Sequence, residues 1–480
     1  MAVQPKSFAR SVLALASGGV AAQAVVFLAR PVLTRLYSPE AFGVLGIFVA
    51  LASVLAVLAT LRYEDAVVLP ERDVDGRALL ALTWGAALAV SGLAALALLP
   101  REAIAQGLGV PGLAPLLPWV ALVGLLYAYG NGAQAWLGRE HAFRLIAVGI
   151  AAQSVTTVAV QLLARGIGSA GLVVGVAAGA VAFALVLVVP VLGRGVLRGL
   201  DPAEVARVAR RYERFPRLGL PATALGQVGS RVPPLALGAA FGAATVGHFA
   251  LAAMAVVVPL AFGADAVGQV YGVHAAEAQR EARLATLTRE TFRRLVGWIL
   301  YPVAAAALVG PVLFALVFGT EWETAGLYAR LLAPWLALSV LVPPLTRAFD
   351  ATERQDRELW GGALHAVGVV GGLGAGALLG TPEAGVLALG LGGALGRLGQ
   401  LLLALSVAGV SPRAALRDAA RPLGRTAMCL LPAVGLTAAS GEGLPALVAA
   451  VAGGVVCWGW TWRAERGFSP AAASTGSSGR

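Results

Sequence analysis

Charged residues are scarce in this sequence of 480 residues. Only 13% are Asp, Glu, Lys or Arg, about half the proportion of a soluble globular protein, while 58% are hydrophobic. Such a small number of charges could not cover the surface of a soluble domain of this size. The composition therefore excludes a soluble domain. The high mean hydropathy, +0.80, equally excludes an intrinsically disordered chain. The remaining interpretation is an integral membrane protein.

Side chains that carry catalysis or bind metals are also rare. Two cysteines, Cys429 and Cys457, exclude a disulfide framework and a multi-cysteine metal site, and their apolar surroundings indicate packing roles. The four histidines are scattered, with no pair at ligand spacing. No nucleophile elbow, phosphate-binding loop or acidic pair in a sizeable soluble domain is visible. We therefore expect neither an enzyme nor a bound cofactor or metal.

Lysine is almost absent, whereas arginine is abundant. The sequence has one lysine, 35 arginines and a net charge of +11. A basic groove for nucleic acid would need a water-facing surface, so we expect no nucleic-acid partner. In a lipid-solvated protein, excess arginine first indicates orientation in the membrane.

Fourteen apolar segments are long enough to be membrane helices. They are residues 11–36, 41–61, 78–99, 114–137, 142–164, 168–193, 217–240, 243–272, 293–318, 325–349, 359–380, 384–409, 425–440 and 444–462. If the N-terminus is cytoplasmic, 29 of the 36 basic residues fall in cytoplasmic segments and five outside. A missed or false span would invert this bias downstream. We predict an all-α integral membrane protein with about 14 transmembrane helices and both termini in the cytoplasm.

A weak internal repeat appears when the chain is shifted by 204 residues, which places Gln23 on Gln227 and Gly43 on Gly247. It predicts two six-helix lobes related by a pseudo-twofold axis along the membrane normal, plus two C-terminal helices. The predicted boundaries are 1–200 for the N-lobe, 201–216 for an interfacial linker helix on anionic lipid, 217–410 for the C-lobe, 411–466 for the last two spans and 467–480 for a disordered tail. Asp201 is the expected N-cap of the linker helix, with Pro202 at its first position.

Polar residues within the spans are the candidate cargo-binding residues, because lipid makes them costly. Arginine also suits an anionic cargo, since its planar group matches phosphate oxygens and stays charged. Alternatives remain open: Arg30 could extend to the outer surface, Asp265 could form a structural ion pair, and Arg397 could hold the second lobe together. The candidates are Gln23, Arg30, Gln227, Arg231, Asp265 and Arg397.

Four motifs carry a family resemblance. They are Arg35–Gly43 (RLYSPEAFG), Leu61–Pro70 (LRYEDAVVLP), Tyr212–Pro216 (YERFP) and Ala266–Tyr271 (AVGQVY). With them the chain resembles the O-antigen and polysaccharide flippases of the multidrug/oligosaccharidyl-lipid/polysaccharide exporter superfamily. The first two motifs are fairly specific and the others softer.

The resemblance implies a flippase that moves undecaprenyl-pyrophosphate-linked oligosaccharide from the cytoplasmic to the periplasmic leaflet of the bacterial inner membrane by alternating access. It implies a cavity lined chiefly by spans 1, 2, 7 and 8, near Gln23, Arg30, Arg231 and Asp265. The partners expected with it are the lipid-linked oligosaccharide, membrane lipids, a polysaccharide polymerase and a chain-length regulator, and we expect a monomer.

The cluster Arg62–Glu64, which includes Tyr63, is a gating candidate. In this interpretation Arg62 and Glu64 exchange partners between the inward and outward states of the transporter. The alternative is an ordinary interfacial cluster. Two other functions stay open at this point, a cation-coupled multidrug exporter and a peptidoglycan-precursor (lipid II) flippase. A membrane glycosyltransferase is disfavoured, because the predicted outside loops are too short for its active site.

Overall fold

The regular secondary structure is all helical over residues 5–465, the part that the computed structural model describes. Seventeen α-helices follow one another without a strand in that range: α1 Pro5–Leu36, α2 Pro39–Ala59, α3 Tyr63–Ala66, α4 Asp73–Ala97, α5 Arg101–Gly107, α6 Leu117–Arg139, α7 Phe143–Leu163, α8 Ser169–Gly193, α9 Pro202–Arg211, α10 Leu220–Phe241, α11 Ala243–Arg280, α12 Leu284–Phe318, α13 Glu323–Ala351, α14 Gln355–Leu379, α15 Pro382–Val407, α16 Pro412–Ser440 and α17 Leu444–Glu465.

Each of the fourteen predicted spans lies on one of the long helices. Eleven helices in the described part are long and apolar enough to cross a membrane. This set leaves out α1, α10 and α17, the last of which has a shorter apolar stretch, Leu444–Trp460. The all-α membrane fold is confirmed, while the count of fourteen crossings and the pseudo-twofold axis stay predictions. The predicted disordered tail, 467–480, lies outside the described residues.

The helices group into two compact units. The first runs to Leu251 and includes Leu373–Gly385, and the second holds Ala252–Gly372 and the chain from Val386 onward. The helix α10, which the sequence places in the C-lobe, therefore packs within the first unit, where it contacts α2.

Within the first unit, α2 and the start of α11 cross at two glycines. A Cβ built on Gly43 would lie 1.8 Å from the Ala243 carbonyl oxygen, and one on Gly247 would lie 1.9 Å from that of Pro39. Only glycine allows two helix backbones to come this close. The pair is the one that the repeat aligns, Gly43 with Gly247.

The linker helix α9 begins as predicted. The Asp201 side chain accepts a hydrogen bond from the Ala203 backbone N–H at 3.0 Å, and Pro202 occupies the first helical position. Its apolar face, however, packs on protein, since Val208 is fully buried in the hydrophobic cluster of the first unit. Contact of its arginines with anionic lipid stays a prediction.

Candidate functional site

A polar cavity of about 330 Å³ lies within the first unit. Five of its helices surround it: α2, α6, α7, α8 and α10. The polar or charged side chains of the wall are Ser53, Tyr127, Asn131, Gln134, Gln153 and Arg231. Ala56, Val57, Ile150 and Phe183 complete it.

Helix α6 supplies most of the uncharged polar wall. Tyr127, Asn131 and Gln134 are four and three residues apart, which places them on one face of the helix. The neighbouring face packs tightly, because a Cβ on Gly130 would lie 2.3 Å from the Phe183 ring. Across the cavity, the Gln153 amide donates a hydrogen bond to the Tyr127 hydroxyl at 3.3 Å. The wall therefore offers hydroxyl and amide groups that can both donate and accept.

Arg231 supplies the positive charge of the cavity. Its Nε donates to the Gln227 Oε1 one turn earlier on α10, at 3.4 Å, and the residue is half-buried. Among the described residues no carboxylate pairs with it. A guanidinium without a counter-ion in the apolar part of a protein is costly, so the cavity is suited to an anionic group. The structure thus brings two predicted residues, Gln227 and Arg231, together.

The two candidates on α1 do not line this cavity. Gln23 is exposed. The Arg30 guanidinium lies over the Phe42 ring, 5.3 Å from its centroid, and its buried Nε has no hydrogen-bond partner. This cation–π contact offsets part of the free-energy cost of placing the charge within the span.

The remaining candidates belong to the second unit. Asp265 is exposed on α11, and no structural ion pair for it exists in the range that the structure describes. Arg397 donates from Nη1 to the Gln400 Oε1 at 2.8 Å, and its Nε has no partner. Nearby, the Trp335 indole N–H donates to the His365 Nε2 at 3.2 Å. The structural and the cargo-binding interpretations of Arg397 both stay predictions.

The gating candidates form a tight turn after α2. Leu61 and Arg62 both adopt positive φ, 50° and 62°, a conformation uncommon for residues with a Cβ. The Arg62 guanidinium ion-pairs with Asp65 and lies 3.6 Å from the Glu64 carboxylate, whose other oxygen is buried without a partner. Burial raises the pKa of Glu64, and burial together with Glu213 raises the pKa of Tyr63. Exchange of partners by Arg62 stays a prediction.

Sequence reasoning missed the uncharged wall of the cavity. The predicted candidates are mainly ionisable residues within the spans and do not include Ser53, Tyr127, Asn131, Gln134 or Gln153. A signal did exist, since three polar residues recur on one face of an otherwise apolar span. No group of three or more metal-ligating side chains occurs in the described part of the chain.

Solved transporter structures share this fold. An inward closed conformation of the lipid II flippase MurJ is 11% identical, with a TM-score of 0.72 over 96% of this chain and 98% of the other. An inward-facing multidrug resistance MATE family transporter of the MOP superfamily is 16% identical, with a TM-score of 0.64 over 83% and 95%. Its outward-facing counterpart has a TM-score of 0.53 at 16% identity, over 85% and 96%.

Sequence comparison is more specific about the family. The chain matches no curated protein. The model of one family, described as "Polysaccharide biosynthesis protein", matches residues 32–326. That range covers most of the first unit and the start of the second, including α2, α6 and the arginine of α10. The chain therefore belongs to the polysaccharide biosynthesis protein family and shares its fold with the MurJ and MATE transporter structures.

Proposed function

We propose that the protein is a flippase for lipid-linked oligosaccharide, an O-antigen or exopolysaccharide repeat unit on undecaprenyl pyrophosphate. It moves this cargo from the cytoplasmic to the periplasmic leaflet of the bacterial inner membrane by alternating access and catalyses no reaction. The polysaccharide family and the transporter fold support this proposal.

One observation carries the proposal: an arginine without a carboxylate partner lines a cavity whose other polar side chains are all amides and hydroxyls. A guanidinium binds phosphate oxygens through two parallel hydrogen bonds. Amides and hydroxyls match the hydroxyl groups of a sugar, since each can donate and accept. The charge and the neutral wall together suit a molecule with a phosphate next to a saccharide.

The cavity has room for only part of such a cargo. About 330 Å³ accommodates a phosphate group and the sugar nearest to it, not a complete oligosaccharide. We therefore assign the cavity to the phosphate-proximal end of the head group, with Arg231 on the phosphate and the α6 face on the first sugar. The polyprenyl chain stays in lipid.

The two alternatives differ in cargo. A fixed positive charge in the cavity disfavours a cationic drug, which an exporter would bind through carboxylates. A lipid II flippase would use the same phosphate chemistry, and the MurJ likeness, at 11% identity, is one of fold alone. The polysaccharide family is the observation that favours the oligosaccharide repeat unit over lipid II.

Substitution of Arg231 tests the proposal in a strain whose own gene is deleted. Arg231→Ala should abolish surface polysaccharide while leaving the amount of protein in the membrane unchanged, and Arg231→Lys should restore only part of the export because lysine lacks the planar fork. Arg165→Ala, at an exposed arginine away from the cavity, is the matched control and should export normally.

Normal export by Arg231→Ala would remove this arginine from the cargo site. Rescue of cells depleted of their lipid II flippase, together with no effect on surface polysaccharide, would instead favour the lipid II alternative. Resistance to cationic drugs that depends on the gene would favour the exporter.

A further inference from the structure

The two cysteines meet where α16 packs on α17. They are the only cysteines in the sequence. Both pack with Tyr301 and Leu430 in one buried hydrophobic cluster. Cys429 is 7% exposed and Cys457 is 1% exposed. Two cysteines that share one buried cluster form a dithiol, although the sequence predicted separate packing roles for them.

The two helix backbones approach closely at this point. A Cβ built on Gly453, one turn before Cys457, would lie 2.3 Å from the Cys429 carbonyl oxygen. Tyr301 of α12 packs in the same hydrophobic cluster as both cysteines, and its hydroxyl donates to the Ala450 carbonyl oxygen at 2.5 Å. A disulfide between neighbouring helices requires such close backbones and facing β-carbons.

The surroundings of the dithiol determine which oxidants can reach it. The buried cluster excludes water, whereas the outer faces of α16 and α17 are apolar and open, with Leu431 63% exposed and Val456 60% exposed. An oxidant dissolved in lipid therefore has the shorter route. Arg425, whose guanidinium lies 5.4 Å from the centroid of the Trp460 ring, supplies a positive charge on the same side of α16.

We propose that Cys429 and Cys457 are an oxidisable dithiol that closes into a disulfide joining α16 to α17, with a lipid-soluble quinone as the oxidant. One thiol loses its proton, and the two sulfurs form the S–S bond as the second proton leaves. The two electrons and two protons pass to the quinone, which becomes a quinol. The bond closes a loop through the turn at Gly441 and ties the C-terminal helical hairpin together.

The test counts free thiols in the full-length protein in native membranes. Membranes are treated with decylubiquinone or, separately, with copper phenanthroline, and the protein is then denatured in detergent and labelled with a polyethylene glycol maleimide. Untreated protein should carry two labels and treated protein none, as a monomer on a gel. The oxidised protein should also unfold about 5 °C higher than the reduced protein.

Two controls test whether the effect depends on the position of the thiols. Cys429→Ser and Cys457→Ser should each retain one label after either treatment. Cys429→Ser combined with Leu431→Cys places the thiol on the exposed face of α16 and should retain two labels. If wild-type protein keeps two labels after either treatment, the proposal is overturned. Loss of both labels from the Leu431→Cys control would overturn it as well.

Discussion

Arg330 stabilises a break in α12, and the size of its effect can be predicted. Pro311 has no N–H to donate to the Ala307 carbonyl, and Val309 has non-helical angles, φ −116° and ψ 17°. From α13, the Arg330 Nε donates to the Ala307 carbonyl oxygen at 2.6 Å and its Nη2 to that of Leu308 at 3.0 Å. The same Nη2 lies 2.6 Å from the Glu442 carboxylate, in the turn between α16 and α17.

Arg330→Met should cost about 3 kcal/mol of unfolding free energy. It removes two charge-assisted hydrogen bonds, each worth about 1.5 kcal/mol at the low end, and leaves two carbonyls of the kink without donors. Glu442→Gln should cost less than about 1 kcal/mol, because both members of that ion pair are about one-third exposed, 33% and 35%. At about 2 °C per kcal/mol, the two variants should unfold roughly 6 °C and less than 2 °C below wild type.

Substitution of Pro311 tests the same reasoning more directly. In Pro311→Ala, residue 311 regains an N–H that can close the helical bond to the Ala307 carbonyl. In that background, Arg330→Met should cost only about half as much, about 1.5 kcal/mol, because one of the two carbonyls no longer depends on the arginine. The coupling between positions 311 and 330 is therefore predicted to be about 1.5 kcal/mol.

Thermal unfolding in detergent measures these differences with a maleimide dye that fluoresces on reaction with thiols. Cys429 and Cys457 are buried and lie in the same unit as Arg330, so the dye reports on unfolding of that unit. Equal midpoints for Arg330→Met and Glu442→Gln would refute the reasoning. An undiminished cost of Arg330→Met in the Pro311→Ala background would refute it as well.

Two further predictions concern a buried acid and a helix crossing. Burial holds the pKa of Glu64 above its ordinary value of 4.5, so its contribution to stability is fully present below that pH and is lost as pH rises through the folded-state pKa. The midpoint of thermal unfolding, followed by circular dichroism, should therefore rise for Glu64→Gln relative to wild type between pH 4 and pH 8, and a constant difference would contradict this. Gly326→Val should reduce the yield of monodisperse protein, because a Cβ there would lie 2.3 Å from the Gly310 carbonyl oxygen. Gly435→Val, with nothing within 4 Å, should not.

The fold was largely predictable, because the bilayer imposes simple requirements on a chain. Spans must be about 20 apolar residues long and helical, so apolar length alone located fourteen long helices. Which helices pack together depends on side-chain shape and on small residues at the crossings. The repeat aligned Gly43 with Gly247, yet nothing in the alignment indicated that the two helices touch there. The packing of α10 against α2 in the first unit was likewise not apparent from hydropathy.

Of the residues that line the candidate site, the sequence predicted only the charged one. An arginine within a span is conspicuous in a sequence because lipid makes it costly, and so Arg231 was found. The amides and hydroxyls beside it cost far less, and single residues of this kind are common in membrane helices as contacts between helices. They become a site only when α2, α6, α7 and α10 bring them to one cavity. The dithiol could have been found more directly, since Cys429 and Cys457 lie at nearly equal distances from the turn of a helical hairpin.

The arginines of this protein show why position in a span does not by itself indicate function. Arg330 is one of the five basic residues on the side predicted to be outside, and its partners, two carbonyls at a kink and Glu442, explain it completely. Arg231 has one long hydrogen bond to Gln227 and no carboxylate in the described chain, so its charge is not balanced within the protein. A cation that the fold neutralises is structural, whereas one that the fold leaves unbalanced beside a polar cavity is free to pair with an anion from outside. By this criterion Arg231, rather than the overall charge of +11, is the residue on which the proposal of an anionic cargo rests.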